Sequence, residues 1–220
     1  VGLNKYQSDE ADVLCALLIG KALGMSYTRI GILIFAAAAL AGPWYTVEGY
    51  SSISNVISQL GAQSTQNNFV MVAGFLALGI SMVADGIRRF SKPVLPFIAF
   101  GLSMALAGLL AHKPLSPAVA FSEAANRSHS ALATLAGISI TAGLLWQAVL
   151  ASTFRSRAIA IILAALCLAL PLCMLFFQGI QGLIQRLMYL LIFAWLWVYY
   201  PFRIMANHSL QPTKSCGLRG

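Results

Sequence analysis

A helix that crosses about 30 Å of hydrocarbon needs roughly 20 consecutive, mostly apolar residues. Six stretches of this chain meet that requirement: Tyr27–Trp44, Asn68–Gly86, Val94–Ala111, Ser130–Ala151, Ala158–Phe177 and Gly182–Tyr200. Charge, Pro, Gly or polar residues bound each of them. Pro43, Pro93, Pro117 and Pro201 fall at edges, where a helix tolerates proline, whereas Pro96 and Pro171 lie inside spans. Only 9% of the 220 residues are charged and 59% are hydrophobic, against about a quarter charged in a soluble domain. So little charge leaves a water-facing surface uncovered, and lipid is the solvent this composition requires. No short alternating segments separated by turns occur, which argues against a barrel. The expected fold is all-α, a polytopic bundle of six transmembrane helices in one membrane domain, residues 25–204.

Charge placement sets the expected orientation. Lys5, Lys21, Arg29, Arg88, Arg89, Lys92, Arg155, Arg157, Arg203, Lys214 and Arg219 fall on one side, eleven of the fourteen basic residues. Lys113, Arg127 and Arg186 fall on the other. Cytoplasmic loops carry the excess Lys and Arg, so both termini are expected in the cytoplasm, with the chain multi-pass in a cell's inner membrane. Attraction to anionic headgroups accounts for the net charge of +8 without a nucleic-acid partner.

Within residues 1–24 the apolar stretch Ala11–Gly24 is too short to span and is broken by Lys21, and Asp9, Glu10 and Asp12 stand where a signal peptide carries positive charge. They read as an interfacial or disordered extension, and residues 205–220 as a cytoplasmic tail. Cys167 and Cys173 lie six apart in one span and point to different faces, while Cys15 and Cys216 lie on the cytoplasmic side, so no disulfide is expected. Small residues four apart, Gly101 and Ala105, Ser103 and Ala107, Ala133 and Gly137, Ala160 and Ala164, predict close helix approach in lipid. No internal repeat is visible, which counts against an inverted-repeat transporter.

The stretch "YSSISNVISQLGAQSTQNN", between the first two spans, contains no charge. Ile53, Val56, Ile57 and Leu60 recur at i, i+3, i+4, i+7, which predicts a short amphipathic helix on the outer face over Tyr50–Leu60. Asn55 and Ser58, with Ser54 near them, would face water or a polar recess. The second outer loop offers His112, Glu123, Asn126, Arg127 and His129, with Ser122 as a helix cap and Glu123 and Arg127 as i, i+4 partners. Arg186 falls in the first turns of the last span, where a charge must face the interior or water and find partners. Glu48, Glu123, loop carbonyls or a bound anion are the candidate acceptors.

These features carry a resemblance. "YSSISNVISQLGA" after the first span, "RSHSALATLAGI" at the head of the fourth and "QGLIQRLMYLLIFAWLWVYYPFRI" at the end resemble the prokaryotic six-helix membrane family catalogued as domain of unknown function 998. The likeness runs from about Met25 to Arg203. It implies six helices and marks Ser54, Ser58, Leu60, Gly61, His129, Gly182 and Arg186. It implies no activity. A fainter likeness is to eukaryotic six-span autophagy-modulator membrane proteins.

The leading functional expectation is an outward-facing polar site that recognises a lipid headgroup or a membrane-protein partner, in a binding or accessory role. Arg186, Glu123, Glu48, Asn126 and Asn55 are its candidate binding residues. The alternative is an outer-leaflet hydrolase or transferase acting on a lipid or lipid-linked substrate. His129 would serve as acid or base, Ser54 or Ser58 as nucleophile, and Arg186 as oxyanion or phosphate stabiliser. A small transporter ranks third, because spans two to five hold almost nothing ionisable. His112, His129 and Glu123 lack the paired spacing of a zinc site, and no cofactor is called for. Membrane lipids, and a larger membrane-protein complex, are the expected partners.

Overall fold

Each apolar run forms a helix, and the polar residues at its edges set where it stops. The computed structural model describes residues 25–46, 48–116 and 118–200; the expected N-terminal extension and C-terminal tail lie outside the described residues. The helices are α1 (Tyr27–Tyr45), α2 (Phe69–Arg88), α3 (Leu95–Leu109), α4 (Glu123–Leu150), α5 (Phe154–Phe176) and α6 (Gln181–Tyr199). A 3-10 turn at Lys92–Val94 leads into α3, so that all six elements are long and apolar enough to cross a membrane. No strand occurs among the described residues. The protein is a multi-pass membrane protein with six membrane-spanning helices among the described residues.

Helix α4 begins two turns before its apolar run. The Ser122 hydroxyl accepts the Ala125 amide, and Glu123 stands in the first turn, where a negative charge meets the positive end of the helix dipole. Polar residues 123–130 are thus helical although hydropathy alone starts the span at Ser130. At the opposite end of the bundle, α1 starts on a cap supplied from elsewhere in the chain. The buried Asp85 carboxylate on α2 accepts the Thr28 amide at 2.8 Å, while the Ser26 hydroxyl accepts the Arg29 amide. Arg88 lies over the Tyr27 ring at 4.9 Å.

Glycines decide how close α1, α2 and α3 approach. A Cβ on Gly79 of α2 would overlap the Gly101 carbonyl and the Ala105 backbone of α3, and one on Gly31 of α1 would meet the Ala77 carbonyl at 2.8 Å. In lipid, where no hydrophobic force drives helices together, such backbone contact is what holds them. The expected packing role of Gly101 and Ala105 is therefore met. Gly137 differs: a Cβ there would meet nothing within 4 Å. It leaves room instead of making contact. Helix α6 joins the two sides of the bundle through aromatic rings: Phe193 meets Phe35 of α1 at 5.4 Å, and Trp195 stacks on Phe97 of α3 at 5.5 Å. Helix α5 lies at the periphery and is the least buried of the six.

Candidate functional site

The segments after α1, α3 and α5 share one end of the bundle. There the uncharged stretch does not form the expected amphipathic helix over Tyr50–Leu60. A turn spans residues 52–54 and a 3-10 helix follows at Ile57–Gly61. The reason lies in competition for backbone groups. Asn55 Oδ1 accepts the Ser51 amide at 2.8 Å, and the Ser51 hydroxyl accepts the Ile53 amide at 3.3 Å. The carbonyl and the amide that an α-helix would pair, those of Ile53 and Ile57, are both engaged by α6: the Leu183 amide donates to the Ile53 carbonyl at 2.9 Å, and Gln185 Oε1 accepts the Ile57 amide at 2.6 Å. In a 3-10 turn residues three apart share a face, so Ile57 and Leu60 are buried at 2% and 0% exposure while Ile53 stands 55% exposed. Leu60 seats on Gly42 of α1, where a Cβ would collide with its methyl groups.

Arg186 is the centre of this docking. Its Nη1 donates to the carbonyls of Ser52 at 2.7 Å, Asn55 at 3.1 Å and Gly182 at 3.1 Å, and its Nη2 donates to the Tyr50 hydroxyl at 2.7 Å. Of the candidate acceptors, the loop carbonyls are the ones it takes. The Tyr50 hydroxyl in turn lies 3.4 Å from the carbonyls of Asn55 and Val56. Burial holds the Tyr50 phenol above its ordinary pKa of 10.0, against the opposing pull of Arg186, so it is neutral at physiological pH. Gly182 completes the clamp, because any side chain there would overlap the Asn55 carbonyl.

Gln63 plays the equivalent part for the second loop. Its Oε1 accepts the Ser122 amide at 2.7 Å, its Nε2 donates to the Ala111 carbonyl at 2.9 Å, and its amide donates to the His112 carbonyl at 2.9 Å. Asn126 Oδ1 accepts the Lys113 amide at 3.1 Å. Glu123 and Arg127 form the expected i, i+4 pair, exposed, at 3.4 Å. Glu48 is also exposed. Among the described residues no three His, Cys, Asp or Glu side chains gather as metal ligands.

Behind the loops a cavity of about 340 Å3 enters the bundle. Phe75, Phe100, Met104 and Ile140 form its apolar depth, and Met188 and Ile192 of α6 close one side. Ile138 of α4 and Leu168 and Leu172 of α5 line it while remaining exposed, so it opens sideways at the lipid-facing surface of α4 and α5. Gly137 is the gap left in this wall.

Two of the expected site residues meet in that cavity. His129 and Ser58 both line it, at 5% and 8% exposure. The His129 Nδ1 lies 2.8 Å from the Ala107 carbonyl and 3.0 Å from the Leu110 carbonyl. Carbonyls only accept, so Nδ1 carries the proton, and in the neutral ring Nε2 keeps its lone pair. Beyond Nδ1, the ring packs edge-on against His112 at 5.3 Å. His112 itself lies outside the spans. Burial is the main cause that lowers its pKa from the ordinary 6.5, with smaller contributions from His129 and Lys113, while its bond to the Lys113 carbonyl opposes them.

The structure thus sorts the candidates into three groups. His129 and Ser58 share the cavity. Arg186 and Asn55 belong to the clamp, with Ser54 in its turn. Glu123, Asn126 and Glu48 lie on the loops and their helix start. Tyr50, Gln63 and Gln185 escaped selection from the sequence, yet they hold the loops in place. For Tyr50 and Gln63 the signal was a phenol or an amide inside a charge-free stretch, and for Gln185 an amide beside Arg186 in the first turns of α6. No curated protein and no solved structure matches this chain. Residues 29–200 match the family described as protein of unknown function (DUF998), and the chain belongs to that family.

Proposed function

We propose that this protein recognises a membrane lipid, holding one apolar chain in the cavity beneath α5 with the polar end beside His129 and Ser58. The observation that carries this reading is the cavity itself. At about 340 Å3 it falls in the size range of small-molecule sites, roughly 300–1,000 Å3, and it opens sideways where lipid would lie. Its walls are apolar and its polar groups are few, which suits an amphiphile entering chain first. By the excess of Lys and Arg at the opposite end, the polar end of the site belongs to the outer leaflet and both termini to the cytoplasm. A hydrolase or transferase would draw on the same His129 and Ser58, with Nδ1 of His129 held by carbonyls instead of a carboxylate.

The test fills the cavity without disturbing the fold. Gly137→Leu adds a side chain where a Cβ meets nothing within 4 Å. The protein and this variant would be taken in lipid nanodiscs and their tightly held lipids identified by native mass spectrometry. The expected result is a stoichiometric lipid on the parent protein and its loss from Gly137→Leu. Equal lipid retention by both would overturn the reading. Product formed from the retained lipid by the parent, and not by Ser58→Ala, would favour the hydrolase or transferase.

A further inference from the structure

We infer that the group recognised at the end of the cavity is an uncharged hydroxyl, so that the preferred ligand is a long-chain alcohol or a lipid whose end carries a free hydroxyl, and not an anionic headgroup. This rests on the proposed lipid site and names its chemistry.

Hydrogen-bonding capacity decides the matter. The lining contains no Lys, Arg, Asp or Glu. Arg186, at the same end of the bundle, has its Nη1 and Nη2 directed at the Ser52, Asn55 and Gly182 carbonyls and the Tyr50 hydroxyl, while Arg127 is exposed and pairs with Glu123. A phosphate drawn into the cavity would therefore leave water without a cationic partner, and an unpaired buried charge is strongly disfavoured. Other hydroxyls of the lining are already engaged. Thr134 donates to the Ser130 carbonyl at 3.0 Å, and the Tyr189 hydroxyl lies 3.8 Å from the Met104 sulfur.

Two groups remain open to a ligand. His129 makes its hydrogen bonds through Nδ1, which leaves Nε2 as an acceptor in a ring more than nine-tenths buried. Ser58, also more than nine-tenths buried, brings a hydroxyl with no hydrogen bond to the described residues. One acceptor and one donor–acceptor match a hydroxyl: its proton goes to His129 Nε2, and its oxygen accepts from Ser58 Oγ. Discrimination follows from the same pairing, because a site built to hydrogen-bond a hydroxyl leaves buried groups unpaired with any end that lacks one.

The experiment uses three photoreactive probes with the same sixteen-carbon chain, ended by an alcohol, a carboxylate or a phosphate. The full chain in phosphatidylcholine nanodiscs at pH 7.5 is labelled with each, and the modified residues are mapped by mass spectrometry. The alcohol is expected to label residues around the cavity at about tenfold lower concentration than the phosphate, a difference of about 1.4 kcal/mol. Ser58→Ala should weaken alcohol labelling about fivefold and leave phosphate labelling unchanged. Gly137→Leu should abolish cavity labelling by all three. Equal or stronger labelling by the phosphate or the carboxylate overturns the hydroxyl assignment while leaving a lipid site in place. Absence of saturable cavity labelling by any probe, or labelling that survives Gly137→Leu, overturns the lipid site as well. Should Ser58→Ala fail to fold, the ranking of the three probes on the parent protein still decides the assignment.

Discussion

Removing the planar donor fork at Arg186 should unlatch the segment after α1 while leaving the helices standing. Three of its four hydrogen bonds cross from α6 to that segment, reaching Ser52, Asn55 and Tyr50. A hydrogen bond to a charged group contributes about 1.5–3 kcal/mol when buried. Arg186 is half-buried, so about 1 kcal/mol per bond is the appropriate scale, or about 3 kcal/mol for the three. Arg186→Met should therefore raise the local opening constant about 100-fold, since each 1.4 kcal/mol is tenfold. Arg186→Lys keeps the charge but offers a point ammonium that cannot reach both carbonyls and the phenol together. It should recover only about half of the free energy, leaving the opening constant about 10-fold larger than in the parent. The assay is amide hydrogen exchange in nanodiscs, read at Ile57 and Leu183, whose amides donate across the same junction to Gln185 and Ile53. Exchange in Arg186→Met within threefold of the parent, or Arg186→Lys behaving as the parent does, would refute the clamp.

Gly182→Ala should destabilise the same junction by at least about 2 kcal/mol, because its Cβ would overlap the Asn55 carbonyl, which is backbone and cannot rotate away. Gly179→Ala, three residues earlier and in open space, should leave the unfolding midpoint unchanged, and thermal unfolding in detergent compares the two. His112 has its folded-state pKa lowered from 6.5, chiefly by burial. The stability it contributes is thus full above about pH 6.5 and is lost as the pH falls below that, through the folded-state value. His112→Gln should lose less stability than the parent between pH 7.5 and pH 5.5, and an equal loss would show that His112 is not the titrating group. Single cysteines at Ser64 and Arg89 should label from the outer and the cytoplasmic side respectively, as the basic-residue asymmetry requires. The reverse pattern would invert the orientation assigned to the site.

The six helices were legible because apolar length is a local property: about 20 such residues in lipid must close their own backbone hydrogen bonds as a helix, whatever lies beside them. Ser122 as a cap and Glu123 with Arg127 were legible for the same reason, since both partners lie within one turn. The loop was not. Its apolar spacing fitted an α-helix, but Arg186, Gln185 and Leu183, more than a hundred positions away, engage the backbone groups such a helix would use. Arg186 announced from the sequence that it required acceptors, and only the packed bundle decided which. Gly137 shows the same division. Its spacing from Ala133 suggested a contact surface, yet it opens onto a cavity, because whether a small residue admits a neighbour or leaves a void depends on where the facing helix stands. His129 and Ser58 are each candidates by residue type and position, and their meeting in that cavity required the fold. Chain chemistry fixes what a residue can donate, accept or bury; tertiary structure determines which of those capacities its neighbours satisfy and which remain open to a ligand.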